Sequence, residues 1–88
     1  MSKRVLLSRS NGIIRVVAIS DFANMRSFIR NEPNVEYFSI DPIHLARTPK
    51  LVKEMSPKAL KQAFEYNLAK GRFLRFNGHG FTFIIPNH

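Results

Sequence analysis

The stretch K-G-R-F-L-R-F, residues 70–76, decides the fold. Lys70 and Gly71 read as the end of a helix. A cation suits the last turn, and glycine takes the left-handed conformation after it without a Cβ penalty. From Arg72 onward, basic and large apolar residues interleave as in a strand. Behind this stretch, S-P-K-A-L-K-Q-A-F starts a helix at residue 56. Ser56 supplies the N-cap hydroxyl, and the proline at N1 loses nothing by lacking an N–H. Leu60, Ala63, Phe64 and Leu68 form the apolar stripe of this helix, while Lys58, Lys61 and Glu65 face away from it. Ahead of the stretch, a hairpin turns at Asn77-Gly78 or Gly78-His79. These two registers differ by two residues, so each keeps Leu74, Phe76, Phe81, Phe83 and Ile85 on one face. That face is expected to pack on the helix at 56–70, leaving Phe73, Arg75, Thr82 and Ile84 on the other.

Upstream, V-L-L-S-R-S-N-G-I-I-R-V-V-A-I-S reads as a second hairpin, with strands near 4–10 and 13–19. Asn11-Gly12 suits a type I′ turn, whose two central residues both need positive φ. Ser20 or Asp21 can cap a short helix running to about Arg30, with Phe22, Met25 and Ile29 on one apolar face and Arg26 and Arg30 on another. Residues 35–40 read as a third strand, and Asp41-Pro42 opens a turn or a short helical piece through Ala46. T-P-K-L-V-K-E-M at 48 repeats the hydroxyl–proline helix start. The predicted order is β-β-α-β-α-α-β-β over a single domain spanning 1–88. This is an α+β fold with a mainly antiparallel sheet and helices packed on one face.

Charge is the strongest global signal. Among 88 residues, 14 Lys and Arg oppose 6 Asp and Glu, a net of +8. Residues 1–30 carry +5, residues 31–46 carry −3 (Glu32, Glu36, Asp41), and residues 47–75 carry +6. Such a field draws polyanions. Cysteine is absent, which removes disulfides and thiolate metal sites and agrees with a reducing, cytoplasmic setting. No apolar run reaches bilayer length, so no membrane partner is expected.

Catalysis finds little support. His44, His79 and His88 have no motif around them, and Asp41 with His44 is too few ligands for a metal site. No cofactor, metal or catalytic residue is expected. A ribonuclease using His44 or His79 as a general base would be the exception. The two helix starts share S/T-P-K-x-x-K, which resembles the S/T-P-K-K element of basic chromatin tails but lacks its second basic residue. K-G-R-F-L-R-F differs from the RNP1 strand of RNA-recognition motifs, since Arg72 stands where an aromatic belongs and the element order differs.

What the residues do support is a general mechanism, in which cations hold phosphates and rings stack on unpaired bases. The candidate cations are Lys50, Lys53, Lys58, Lys61, Lys70, Arg72, Arg75, Arg9 and Arg15, with Lys3, Arg4, Arg9 and Arg15 as a fallback patch. The candidate rings are Phe73, Tyr37 and Tyr66. The expected protein is a non-catalytic nucleic-acid binder, RNA favoured over DNA, that regulates or inhibits a nucleic-acid enzyme. A homodimer is expected, with Glu32, Glu36 and Asp41 facing the basic ends of a partner chain or strand 35–40 pairing as an exposed edge. One alternative is a phage-type accessory protein that inhibits a host enzyme or toxin by direct contact. Another is a winged-helix DNA binder, with 56–70 as recognition helix, Gln62 and Asn67 as base readers, and 72–85 as the wing.

Overall fold

The Asn11-Gly12 turn forms as the sequence predicts, with φ of 52° at Asn11 and 75° at Gly12. It joins β1 (Lys3–Ser10) to β2 (Ile13–Asp21) as an antiparallel hairpin. The structure, a computed structural model, describes residues 3–30, 32–45, 49–77 and 80–83. Between the pairs Leu6↔Ala18 and Leu7↔Val16 the register shifts, leaving Val17 as an extra residue on β2. This bulge reverses the pleat. Ile14 and Val16 before it and Ile19 after it therefore all join the core built on Val5 and Leu7.

The segment after β2 forms a helix, but of 3-10 type, over Phe22–Phe28. Asp21 makes no capping hydrogen bond, because it is still the last residue of β2, paired with Lys3. A seven-residue segment without a cap settles into the tighter, shorter form. Its apolar face is as expected: Met25 is fully buried, with Phe22 and Ile29 packed beside it.

β3 (Glu36–Ile40) pairs with β1 on one side and with β4 (Leu74–Asn77) on the other. β5 (Gly80–Phe83) completes an antiparallel sheet in the order β2-β1-β3-β4-β5. β3 is thus central, and pairing of a second chain along 35–40 is closed. The hairpin at 72–85 is likewise no free wing, since β4 is bonded to β3 within the sheet. Asn77 pairs with Gly80, and the expected turn residues Gly78 and His79 lie outside the described residues.

Among the described residues, three α-helices lie between β3 and β4: α1 (Pro42–Leu45), α2 (Pro49–Lys53) and α3 (Pro57–Ala69). Asp41 Oδ1 accepts from the Ile43 N–H at 3.2 Å to open α1, and Ser56 Oγ accepts from the Ala59 N–H at 3.2 Å to open α3. At the end of α3 the Gly71 N–H donates to the Leu68 carbonyl and the Arg72 N–H to the Asn67 carbonyl. This pair of bonds is a Schellman closure, and Gly71 supplies the φ of 69° that it needs. No helix among the described residues is long and apolar enough to cross a membrane.

Helices pack on both faces of the sheet, where one face alone was expected, and the second face is covered only in part. Leu60 and Phe64 of α3 and Val52 of α2 pack on Val5, Leu7, Phe38, Ile40 and Phe73. The opposite face sets Leu6 and Tyr37 against Met25, with Phe76 beside them. This reverses the expected facing of the last hairpin. Phe73, fully buried, meets α3, while Phe76 meets the 3-10 helix. The side chains of Phe81, Thr82 and Phe83 lie outside the described residues, as do Ala46, Thr48, His79, Ile84, Ile85 and His88.

Candidate nucleic-acid interface

Two of the expected phosphate contacts are already used within the chain. Arg9 donates to Glu36 Oε1 from Nε at 3.2 Å and from Nη2 at 3.0 Å. Arg75 Nη2 stands 2.8 Å from Glu36 Oε2. The strand register brings the three together: Arg9 lies directly opposite Glu36, and Arg75 lies opposite Phe38, diagonal to Glu36. Arg9 is held further by its guanidinium carbon, 5.1 Å from the Phe38 ring and 5.4 Å from the Phe64 ring. Glu36 therefore answers charges of its own chain, and the expected role in a dimer contact is withdrawn.

Arg4 of the fallback patch is committed too. Its Nε donates to Ser39 Oγ at 2.7 Å and its Nη2 to the Ser39 carbonyl at 3.3 Å. Ser39 is fully buried, and this contact satisfies its hydroxyl. Burial lowers the Arg4 pKa from its usual value, and nearby Asp41 opposes that shift.

The rings divide as sharply. Phe73 is fully buried and Tyr37 nearly so, so neither can stack on a base. Tyr66 is 57 % exposed. Lys70 Nζ lies 5.5 Å from its ring centre and the Arg72 guanidinium carbon 5.9 Å from it. Among the candidate rings Tyr66 is thus exposed, with two cations within 6 Å of its centre.

Asn67 explains why Arg72 stands there. It was expected on the open face of the helix as a base reader, but it is 1 % exposed. Its amide nitrogen donates to the Ala63 carbonyl at 2.8 Å and to the His44 carbonyl at 3.0 Å. Its Oδ1 accepts from Arg72 Nη1 at 3.3 Å. One buried amide thus ties α1 to α3 and orients the arginine beside Tyr66. The signal was present in the spacing, since Asn67 lies seven residues after Leu60, on the same stripe.

Lys50, Lys53, Lys58 and Lys61 are exposed and make no ion pair among the described residues. Lys58 and Lys70 mark the two ends of α3, about 18 Å apart along the axis at 1.5 Å per residue. The exposed basic residues of α3 are therefore spread along the helix, with the exposed Glu65 among them. Arg15 is exposed on β2 and lines a groove that does not involve α3. His44 is exposed. No group of three or more potential metal ligands occurs among the described residues. No family model, curated protein or solved structure matches the chain.

Proposed function

We propose that this protein binds single-stranded nucleic acid, RNA in preference to DNA, along the exposed side of α3. Phosphates lie on Lys58, Lys61, Lys70 and Arg72, with Lys50 and Lys53 extending the track. One base stacks on Tyr66. The observation that carries this reading is the exposed Tyr66 ring between Lys70 and Arg72 in a chain of net charge +8. Such contacts give affinity with little sequence preference. They suit a non-catalytic cytoplasmic protein that regulates a nucleic-acid enzyme by holding its RNA.

The test is fluorescence anisotropy with a labelled oligo(U) 12-mer. With about five phosphates engaged on a single strand, the slope of log K against log salt is about −3 to −4. Tyr66→Ala weakens binding roughly 5- to 150-fold, the worth of one base stack. Lys70→Glu/Arg72→Glu weakens it further, and for all sequences alike. Tight binding with a slope near zero, or a Tyr66→Ala variant that binds like the parent, would overturn the proposal. Enzyme inhibition that survives nuclease digestion of any bound RNA would support direct protein contact instead.

A further inference from the structure

The sheet face away from α3 is covered at one end only. There the 3-10 helix seats Met25, Phe22 and Ile29 against Leu6, Ala18 and Phe76. Toward the Asn11-Gly12 turn the chain forms a groove of about 370 Å³, within the range of small-ligand sites. Ser8, Ser10, Ile13, Arg15, Glu32 and Val35 line it.

Arg15 and Glu32 are the informative pair. Both are exposed, both line the groove, and neither makes an ion pair among the described residues. Elsewhere in this molecule Glu36 takes two arginines at once. Opposite charges that share a groove without meeting are suited to a ligand with complementary ends. Arg15 wants an anion. Glu32 wants hydrogen-bond donors, ideally two side by side, because a carboxylate has two acceptor oxygens. Ile13 and Val35 offer apolar surface for a flat ring, and the Ser8 and Ser10 hydroxyls can serve a sugar or a base edge.

We infer that this groove binds one guanine nucleotide, with its phosphate on Arg15 and the Watson–Crick edge of its base on Glu32. Guanine presents two adjacent donors on that edge, N1–H and the N2 amino group. Adenine and cytosine each set a donor beside an acceptor, and uracil sets one donor between two acceptors. A carboxylate at the base edge therefore favours guanine over the other three. The inference rests on the nucleic-acid reading in taking a nucleotide as the ligand, but it uses a different part of the surface from Tyr66.

The test titrates the full chain with GMP, AMP, CMP and UMP separately, followed by amide NMR shifts and calorimetry. GMP is expected to shift the amides of Ile13, Arg15 and Val35 and to bind at least tenfold more tightly than the other three. Glu32→Gln, an exposed substitution that leaves the fold intact, is expected to bring GMP down to the affinity of AMP. Arg15→Ala is expected to weaken GMP at least fivefold. Absence of shifts at these amides with millimolar GMP would overturn the inference. Equal affinity for the four nucleotides, or an undiminished preference in Glu32→Gln, would do the same. Oligo(U) keeps the two readings separable, because it offers Tyr66 a base and the groove no guanine. GMP binding without oligo(U) binding removes the α3 track and leaves the groove. Oligo(U) binding without GMP binding removes the groove alone.

Discussion

One face of the sheet is sealed by three interlocked phenylalanines under a helix of 13 residues, whereas the other lies under a 3-10 helix of seven that buries a single methionine. On the first face the rings of Phe38, Phe64 and Phe73 stand 4.6 to 5.6 Å apart, at tilted or edge-on angles. The charges that border them are drawn inward, Arg9 onto two rings and both Arg9 and Arg75 onto Glu36. The exposed lysines of α2 and α3 make no ion pair among the described residues. On the second face the cover is too short for the sheet, and the remainder is a groove whose Arg15 and Glu32 make no ion pair among the described residues. A long helix thus seals its face of the sheet and leaves exposed cations on its outer side, while a short one leaves part of its face open as a groove.

The largest effect should separate the two faces directly. Phe64→Ala removes the ring that touches both other phenylalanines and should destabilise the fold by about 3–5 kcal/mol. Met25→Ala, under the looser cover, should fall near 2 kcal/mol, the low end for a buried methionine. Urea unfolding of both variants measures the gap. If Met25→Ala is the worse of the two, the ranking of the faces is wrong.

A smaller effect should come from the joint between support and ligand surface. Asn67→Leu keeps the volume but leaves the His44 carbonyl without its donor and Arg72 without its acceptor. The expected loss is about 1–3 kcal/mol, the range for an orphaned buried polar group. Oligo(U) binding should weaken with it, because Arg72 is no longer oriented. A destabilised variant with unchanged binding would show Asn67 to be structural only.

The smallest stability effect should come from the inward-drawn charges. Glu36→Gln should change stability by less than about 1 kcal/mol, since all three groups are partly exposed. It should nevertheless raise affinity for oligo(U), by releasing Arg9 and Arg75. Each arginine that then takes a phosphate steepens the slope of log K against log salt by about 0.7. An unchanged slope would mean that those arginines stay on the rings and the sheet, out of reach of a strand.

Much of this architecture is legible along the chain. The Asn-Gly turn, the serine–proline start at 56, the stripe from Leu60 to Leu68 and the stop at Gly71 each rest on local chemistry within a few residues. The facing of the last hairpin does not. Phe73, Leu74 and Phe76 straddle both pleats, and alternation identifies an inner face only when the other face meets water. β1 shows the same difficulty, because Val5, Leu6 and Leu7 are all fully buried in consecutive positions. The candidate site was half legible for a related reason. Tyr66 and Lys70 are neighbours on one helix, four residues apart, and can be paired from spacing alone. The capture of Arg9 and Arg75 by Glu36 depends on which strands lie side by side, over separations of 27 and 39 residues.

The extra residue at Val17 carries one more consequence. β2 is an outer strand, nine residues long and rich in valine and isoleucine, with Ile13 and Val17 exposed. A regular strand of that composition would template copies of itself when many molecules are crowded along one polyanion. The irregular step at Val17 spoils the register that such stacking needs. At high concentration the protein is thereby kept dispersed, and straightening β2 by deleting Val17 is expected to trade that colloidal stability for fibre formation.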